Sequence, residues 1–309
     1  MANLELVKKL RETTGCGIGD CNKALGACAD NFEEAVDWLR KKGLSSAAKK
    51  TSRATTEGLV GVLNNKNVAT IIEINSETDF VAKNDKFQEL VCDILEAGLS
   101  LKNYVDFTSE VKEVSVNGKK IADELTNKIA VIGENLQVRR GKTIELQDKG
   151  LIVSYIHSAV TEKMGKIGVL VSLKSEAKEE KLQEIGKQIA MHIAATKPEF
   201  LNRSFVPAER LQREKDVFSE QARNSGKPEN IIEKMIEGRI RKFFEEVCLL
   251  DQNFVMDDKM KISDVLKAFE KENGCSIEIA DYVLYVLGEG LEKAETNFAD
   301  EVNSVINKK

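Results

Sequence analysis

Through residues 3–43 the apolar positions recur at helical spacing in three runs: Leu4, Val7 and Leu10; Ile18, Cys21, Leu25 and Cys28; Phe32, Val36 and Leu39. Gly15 is placed to end the first helix in a left-handed conformation, and Asn31 with Glu34 is placed to cap the third. The spacing predicts a compact three-helix module whose small core draws much of its buried area from Trp38. Residues 43–53, rich in Ser, Ala and Lys and without a sustained apolar period, read as a linker, so that a second domain begins near Thr56.

Beyond that point the period shortens. Gly58–Val62 and Val68–Ile74 read as strands around a turn at 64–67, followed by a helix with Phe87, Leu90, Val91, Ile94 and Leu95 on one face. The same order returns later: Gly150–Ile156, a turn through Met164 and Gly165, Ile167–Leu173, then a helix striped by Leu182, Ile185, Ile189 and Ile193. Each copy has a later apolar strand, Leu136–Arg140 in one and Tyr282–Leu287 in the other. The pattern predicts an α+β fold with two related α+β subdomains as its core. Between Pro207 and Leu249 two helical stretches flank Ser225-Gly226-Lys227-Pro228, an αα-hairpin whose narrow stripes suit an antiparallel coiled coil. Ala294, Phe298, Val302 and Val305 predict a closing helix. The expected boundaries are 1–53 for the module and linker, 54–147 and then 148–205 with 249–291 for the subdomains, 206–248 for the inserted hairpin, and 292–309 for the terminal helix.

Charge narrows the partners. The chain carries 46 Lys and Arg against 51 Asp and Glu, a net charge of -5, so there is no global positive field to neutralise a phosphate backbone and direct nucleic-acid binding is not expected. Residues 1–53 are mildly basic, with Lys41, Lys42, Lys49, Lys50 and Arg53 clustered, a run that reads as a solvated face. No cationic leader runs into an apolar stretch and no span is long enough to cross a bilayer, so a cytoplasmic protein without membrane association is expected. The six cysteines are scattered without metal-ligand spacing, which predicts reduced thiols and no cofactor or metal.

No catalytic constellation assembles: phosphate-binding loop, dinucleotide fingerprint, nucleophile elbow and zinc-protease helix are all missing from the sequence. The only two histidines are His157 and His192. His192 falls at the margin of a helical stripe and reads as structural, whereas His157 is expected at the end of a strand, on a loop rim where binding groups tend to sit. The segment Asn75–Asn84 admits two readings. In one, Phe80 extends the core stripe back from Phe87, with Thr78 or Asp79 as a helix cap. In the other, Asp79 and Phe80 protrude together as an aromatic wedge beside a carboxylate.

Thr14-Gly15-Cys16-Gly17-Ile18-Gly19-Asp20-Cys21-Asn22-Lys23-Ala24-Leu25 and Thr78-Asp79-Phe80-Val81-Ala82-Lys83-Asn84 resemble the two signatures of the elongation factor Ts family. Gly133-Glu134-Asn135, Arg139-Arg140, Lys197-Pro198-Glu199-Phe200, Ser225-Gly226-Lys227-Pro228 and Gly288-Glu289-Gly290 extend the resemblance along nearly the whole chain. Cys16 and Asn84 depart from residues frequent in the family, Ala and Asp. The resemblance implies a ubiquitin-associated-like amino-terminal module, a bipartite core, a coiled-coil insertion and a terminal helix. It further implies a non-enzymatic guanine-nucleotide exchange factor that docks on elongation factor Tu, GDP-bound and nucleotide-free. Thr78, Asp79, Phe80 and Val81 would act near the partner's magnesium site, and His157 would supply a further contact. Self-association into a higher-order assembly stays open. A ubiquitin-associated-type scaffold without exchange activity is the alternative, and a thiol or acid-base enzyme using Cys16 or His157 is a third reading.

Overall fold

The computed structural model describes residues 3–223 and 228–291. The expected closing helix at 292–309 and the hairpin-tip residues Ser225, Gly226 and Lys227 lie outside them. The chain is a mixture of helices and strands, as its periodicity requires, and it divides into two compact units, each described by itself.

The first unit takes in residues 3–61, 72–142 and 286–291. It opens with α1 (Leu4–Thr14), α2 (Ile18–Ala27) and α3 (Phe32–Lys50), packed around Val7, Leu10, Cys21, Ala24, Leu25, Ala35 and Leu39. Gly15 ends α1 at φ 70°, and the Asn31 side chain accepts from the Glu34 N–H to open α3. The stripes are narrower than expected: Leu4 and Ile18 are exposed, and Trp38 is only half-buried, at the edge of the core with the Lys42 ammonium 5.4 Å from its ring.

The expected linker is instead helix. α3 runs on to Lys50, which places most of residues 43–53 on a regular helix. Ala and Lys favour that conformation, and the contact that holds it is made by small side chains, which leave no stripe in the sequence. α3 packs on α6 (Ile121–Ile132), where a methyl group at Gly43 would lie 3.2 Å from the Ala130 Cβ. Ala47 is buried and Lys50 Nζ donates to the Ile129 carbonyl at 3.3 Å. Of the basic cluster, Lys42 pairs with Asp20 at 2.6 Å and Arg53 with Glu77 at 3.3 Å, so it is a paired face as much as a solvated one.

β1 (Glu57–Asn65) and β2 (Val68–Ser76) turn at Lys66 and Asn67, and α4 (Asp85–Ser100) buries the anticipated stripe of Phe87, Leu90, Val91, Ile94 and Leu95. α5 (Phe107–Glu113) and a two-stranded antiparallel ladder of β3 (Ser115–Val116) and β4 (Lys119–Lys120) lead into α6, and β5 (Leu136–Glu145) follows.

The second unit takes in residues 62–71 and 143–285. β6 (Gly150–Thr161) and β7 (Met164–Ser175) pair antiparallel from Gly150↔Lys174 to Thr161↔Met164, and α7 (Glu179–Thr196) covers them. The turn sits at Glu162 and Lys163, not at Met164 and Gly165, because pairing continues past Ile156 through His157 and Ala159 to Thr161, where Val160 and Thr161 are β-branched. β8 (Asn253–Phe254), β9 (Asp257–Lys261), α10 (Ile262–Asn273) and β10 (Ile277–Val286) complete this unit, whose core joins Val153, Val171 and Leu173 to Ile189, Ile262 and Phe269. The sheet order is β10-β7-β1-β2-β5, with β6 also on β7.

The two remaining described helices, α8 (Ala208–Arg223) and α9 (Glu229–Val247), lie against each other as the predicted αα-hairpin. Val206, Phe243, Phe244 and Val247 anchor its base, with Leu211, Phe218 and Ile240 packed against them. His192 is fully buried: Nε2 is 2.9 Å from the Gln252 Oε1, and Nδ1 accepts from the Val255 N–H at 3.3 Å. An accepting Nδ1 leaves the proton on Nε2, so the ring is neutral, and burial lowers its pKa while the Gln252 bond opposes this only in part. Among the described residues, no helix is long and apolar enough to cross a membrane.

Candidate functional site

After β2 ends at Ser76, the chain makes a single 3-10 turn over Asp79–Lys83. Thr78 and Asp79 are exposed, Phe80 is 81% exposed, and Val81 and Ala82 are buried at 5% and 3%. Of the two sequence readings, the geometry is therefore the protruding one. Phe80 does not extend the stripe of α4, because Asn84 is in extended backbone (φ -82°, ψ 121°) and breaks the register between turn and helix. Asn84, not Thr78 or Asp79, caps α4 by accepting from the Lys86 N–H at 2.9 Å. Within the signature, Val81 anchors the turn and Phe80 is displayed by it.

An aromatic side chain held in water forgoes about 1.5–3 kcal/mol that its burial would release. Its backbone is correspondingly well held. The Thr78 N–H and hydroxyl both donate to the Glu134 carboxylate, at 2.9 and 2.5 Å, and the Ser76 hydroxyl donates to the Thr78 carbonyl at 2.9 Å. On the far side, the Gln88 amide donates to the Ala82 carbonyl at 3.0 Å and the Asn84 N–H to the Val81 carbonyl at 2.9 Å. Glu134 stands directly after Gly133, which closes α6 at φ 92°, a left-handed conformation that glycine adopts without steric cost. The bonding is reciprocal: the Asn135 N–H donates to the Glu77 carboxylate at 2.6 Å, Arg53 pairs with Glu77 at 3.3 Å, and the Asn135 amide donates to the Arg53 carbonyl at 2.9 Å.

One turn of strand earlier, Glu73 has a completely buried side chain. It accepts from Arg139 Nη1 at 2.8 Å, Arg140 Nε at 2.6 Å and the Gly288 N–H at 2.9 Å. Burial pushes its carboxyl upward, but the Gly288 bond and the two guanidiniums outweigh this and hold it below the usual glutamate range. Arg139 also donates to the Glu289 carbonyl, and Arg140 to the Val286 carbonyl at 2.9 Å, so the network fastens residues 286–289 to β2 and β5.

The two signature runs meet at a hollow of about 600 Å³, lined by Gly15, Cys16 and Gly17 from the first, by Asn84 from the second, and by Arg11 and Lys86 beside them. Lys86 Nζ donates to the Gly15 carbonyl at 3.2 Å; a Cβ at Gly15 would meet only the movable end of that side chain, at 2.8 Å, so it is the positive φ that calls for glycine.

His157 is exposed in the second unit, but inside β6 opposite Ile167 and not at a strand end. Its Nδ1 shares a 3.0 Å hydrogen bond with the Tyr155 hydroxyl. Next to it Ser158 takes φ 51°, and the register shifts between Ala159 and Thr161, which re-aims this end of the strand. Among the described residues no group of three or more His, Cys, Asp and Glu side chains is arranged to hold a metal.

Sequence reading missed Glu134, Asn135, Glu77 and Arg53 as the supports of the turn. The available signal was a Gly followed by two hydrogen-bonding residues at a helix end. It also missed Glu73, whose signal was a single acid among the isoleucines Ile71, Ile72 and Ile74.

Comparison with known proteins identifies the family. The family model for elongation factor Ts matches residues 77–289. An elongation factor Ts of Rhodospirillum rubrum is 48% identical over 303 residues, covering 98% of each chain. One of Rhizobium etli is 48% identical over 301 residues, 97% of each chain. One of Paramagnetospirillum magneticum is 49% identical over 299 residues, 96% of this chain and 95% of its own. A family model that spans the displayed turn, its Glu134 support and the Arg139–Arg140 network, with relatives alike from end to end, makes this chain a member of the elongation factor Ts family, a factor of translation elongation.

Proposed function

We propose that this chain is a guanine-nucleotide exchange factor for elongation factor Tu, which it engages both GDP-bound and nucleotide-free. It promotes GDP release by setting Phe80 and Asp79 against the partner's magnesium and phosphate site. The observation that carries this reading is the 81% exposure of Phe80 on a turn whose backbone is hydrogen-bonded on both sides. An ordered, outward aromatic is what displacement of a partner's side chains requires. Thr78 and Val81 hold the turn, and His157, exposed on its own unit, gives a further contact. Exchange needs no acid, base or nucleophile in this chain, so the factor is not an enzyme of bond-making chemistry.

The energetics follow from linkage. If docking weakens GDP by some factor, GDP weakens docking by the same factor. Each tenfold costs about 1.4 kcal/mol, and burial of one Phe side chain releases about 1.5–3 kcal/mol. The wedge alone therefore accounts for one or two decades, and the rest comes from docking contacts elsewhere on the chain. The expected result for Phe80→Ala is docking within a few-fold of the parent and a GDP release rate lower by about tenfold or more at saturation. Stopped-flow release of labelled GDP at the parent rate would refute the wedge. A scaffold reading without exchange activity predicts no acceleration by the parent chain.

A further inference from the structure

We infer that Glu134 is a positioning residue that holds the Asp79–Phe80 turn in its displaying conformation, with Thr78 as the group through which it acts. The inference rests on the exchange-factor reading of the turn and adds the element that sets its geometry.

Phe80 is too exposed for its own packing to fix where it points, so its direction is inherited from the backbone on either side. On the carboxyl side the anchors are internal to the turn and α4: buried Val81 and Ala82, the Asn84 N–H and the Gln88 amide. On the amino side the strand order of β2 ends at Ser76, two residues before Thr78. There two anchors reach beyond the local chain: Glu77, held by Asn135 and Arg53, and at Thr78 itself a carboxylate 56 residues away, which takes both of its donors. A single carboxylate receiving an N–H and an O–H from one residue fixes both the position and the rotation of that residue, as one bond alone would not. Backbone rotation at Thr78 would carry Asp79 and Phe80 with it.

Glu134 itself cannot drift. Gly133 turns the chain out of α6 at φ 92°, and the next residue, Asn135, is held by its N–H on Glu77 and by its side chain on the Arg53 carbonyl, while Arg53 closes the ring onto Glu77. The foot of the wedge is thus built from the ends of three elements, α3, β2 and α6. Each loop contributes a polar group that another element needs.

A positioning role predicts a loss in rate at saturation without a matching loss of docking, since the docking surfaces are untouched and only the fraction of molecules with a correctly set Phe80 changes. Glu134→Ala removes both acceptors, and the maximal rate of labelled-GDP release from elongation factor Tu is expected to fall about tenfold, while affinity for the nucleotide-free partner stays within about threefold. Glu134→Gln keeps one acceptor oxygen and is expected to fall between Ala and the parent. In the free factor, hydrogen exchange at the Thr78 amide is slow in the parent and fast in Glu134→Ala, with the thermal unfolding midpoint retained.

A lowered unfolding midpoint in Glu134→Ala passes the test to Thr78→Val, which removes only the hydroxyl bond on an exposed residue. Thr78→Val should slow release and should add nothing to Glu134→Ala, because the one bond it deletes is already missing there. Parent-like release in Glu134→Ala and Thr78→Val, with Phe80→Ala slow, overturns the positioning role and leaves the wedge standing. Parent-like release in Phe80→Ala as well overturns the wedge and, with it, this inference.

Discussion

Replacing Glu73 with Gln probes the most enclosed charge in the first unit. The side chain is 0% exposed, and its two guanidinium partners, Arg139 and Arg140, are 22% and 29% exposed. Glutamine preserves the shape, but it removes the negative charge and turns an amide donor toward a guanidinium donor. Breaking a buried ion pair by removing one partner costs about 3–5 kcal/mol. Both arginines reach some water and keep their carbonyl bonds to residues 286–289, which reduces the expected loss to about 2–3 kcal/mol. For a cooperative unit of about 150–250 residues each kcal/mol moves the melting midpoint by roughly 2–4 °C, so a fall of roughly 4–12 °C is expected for the first unit by calorimetry or circular dichroism. Hydrogen exchange should localise the change: the Gly288 amide, which donates to Glu73, should become fast.

The same substitution carries a pH signature. The folded-state pKa of Glu73 lies below its ordinary value of 4.5, so its contribution is present above that value and is lost as pH falls through the lowered one. The parent should lose its advantage over the Gln variant in that acid window. A melting midpoint within about 1 °C of the parent at neutral pH, or a gap unchanged down through the acid range, would refute the claim that this carboxylate fastens the segment.

Two further outcomes are expected. His192 is buried and neutral with a lowered pKa, so its contribution is full above the ordinary 6.5 and is lost as pH falls through the lowered value; unfolding free energy measured over this range should be steeper in the parent than in His192→Gln, and equal slopes would refute the burial argument. Residues 44–50 lie on a continuous helix packed at Gly43 and Ala47, so their amides should exchange as slowly as those of neighbouring helical residues and trypsin should cut poorly at Lys49 and Lys50. Rapid exchange there would restore the linker.

What the sequence revealed depended on the size of the side chains that make each contact. Wide stripes such as Phe87, Leu90, Val91, Ile94 and Leu95 in α4 announce themselves, and so do caps such as Asn31 with Glu34. The continuation of α3 was hidden because Gly43 and Ala47 pack by being small. The display of Phe80 was undecidable from spacing, since seven residues before Phe87 fits an inward position equally well. Only the extended backbone of Asn84 breaks that register, and a single residue's conformation leaves no periodic trace. Glu134 and Glu73 were hidden for a different reason: their partners lie 56 and 66 residues away, and hydrogen-bond partnership at that range has no spacing to read.

In the proposed exchange function, docking of this chain and retention of GDP by elongation factor Tu oppose each other. The direct measurement is the dissociation rate of labelled GDP from elongation factor Tu as this chain is titrated to saturation. The expected rate climbs to a plateau far above the unassisted one, with added GDP driving the two proteins apart. A rate that stays flat across the titration, with the two proteins shown to be bound, would contradict it.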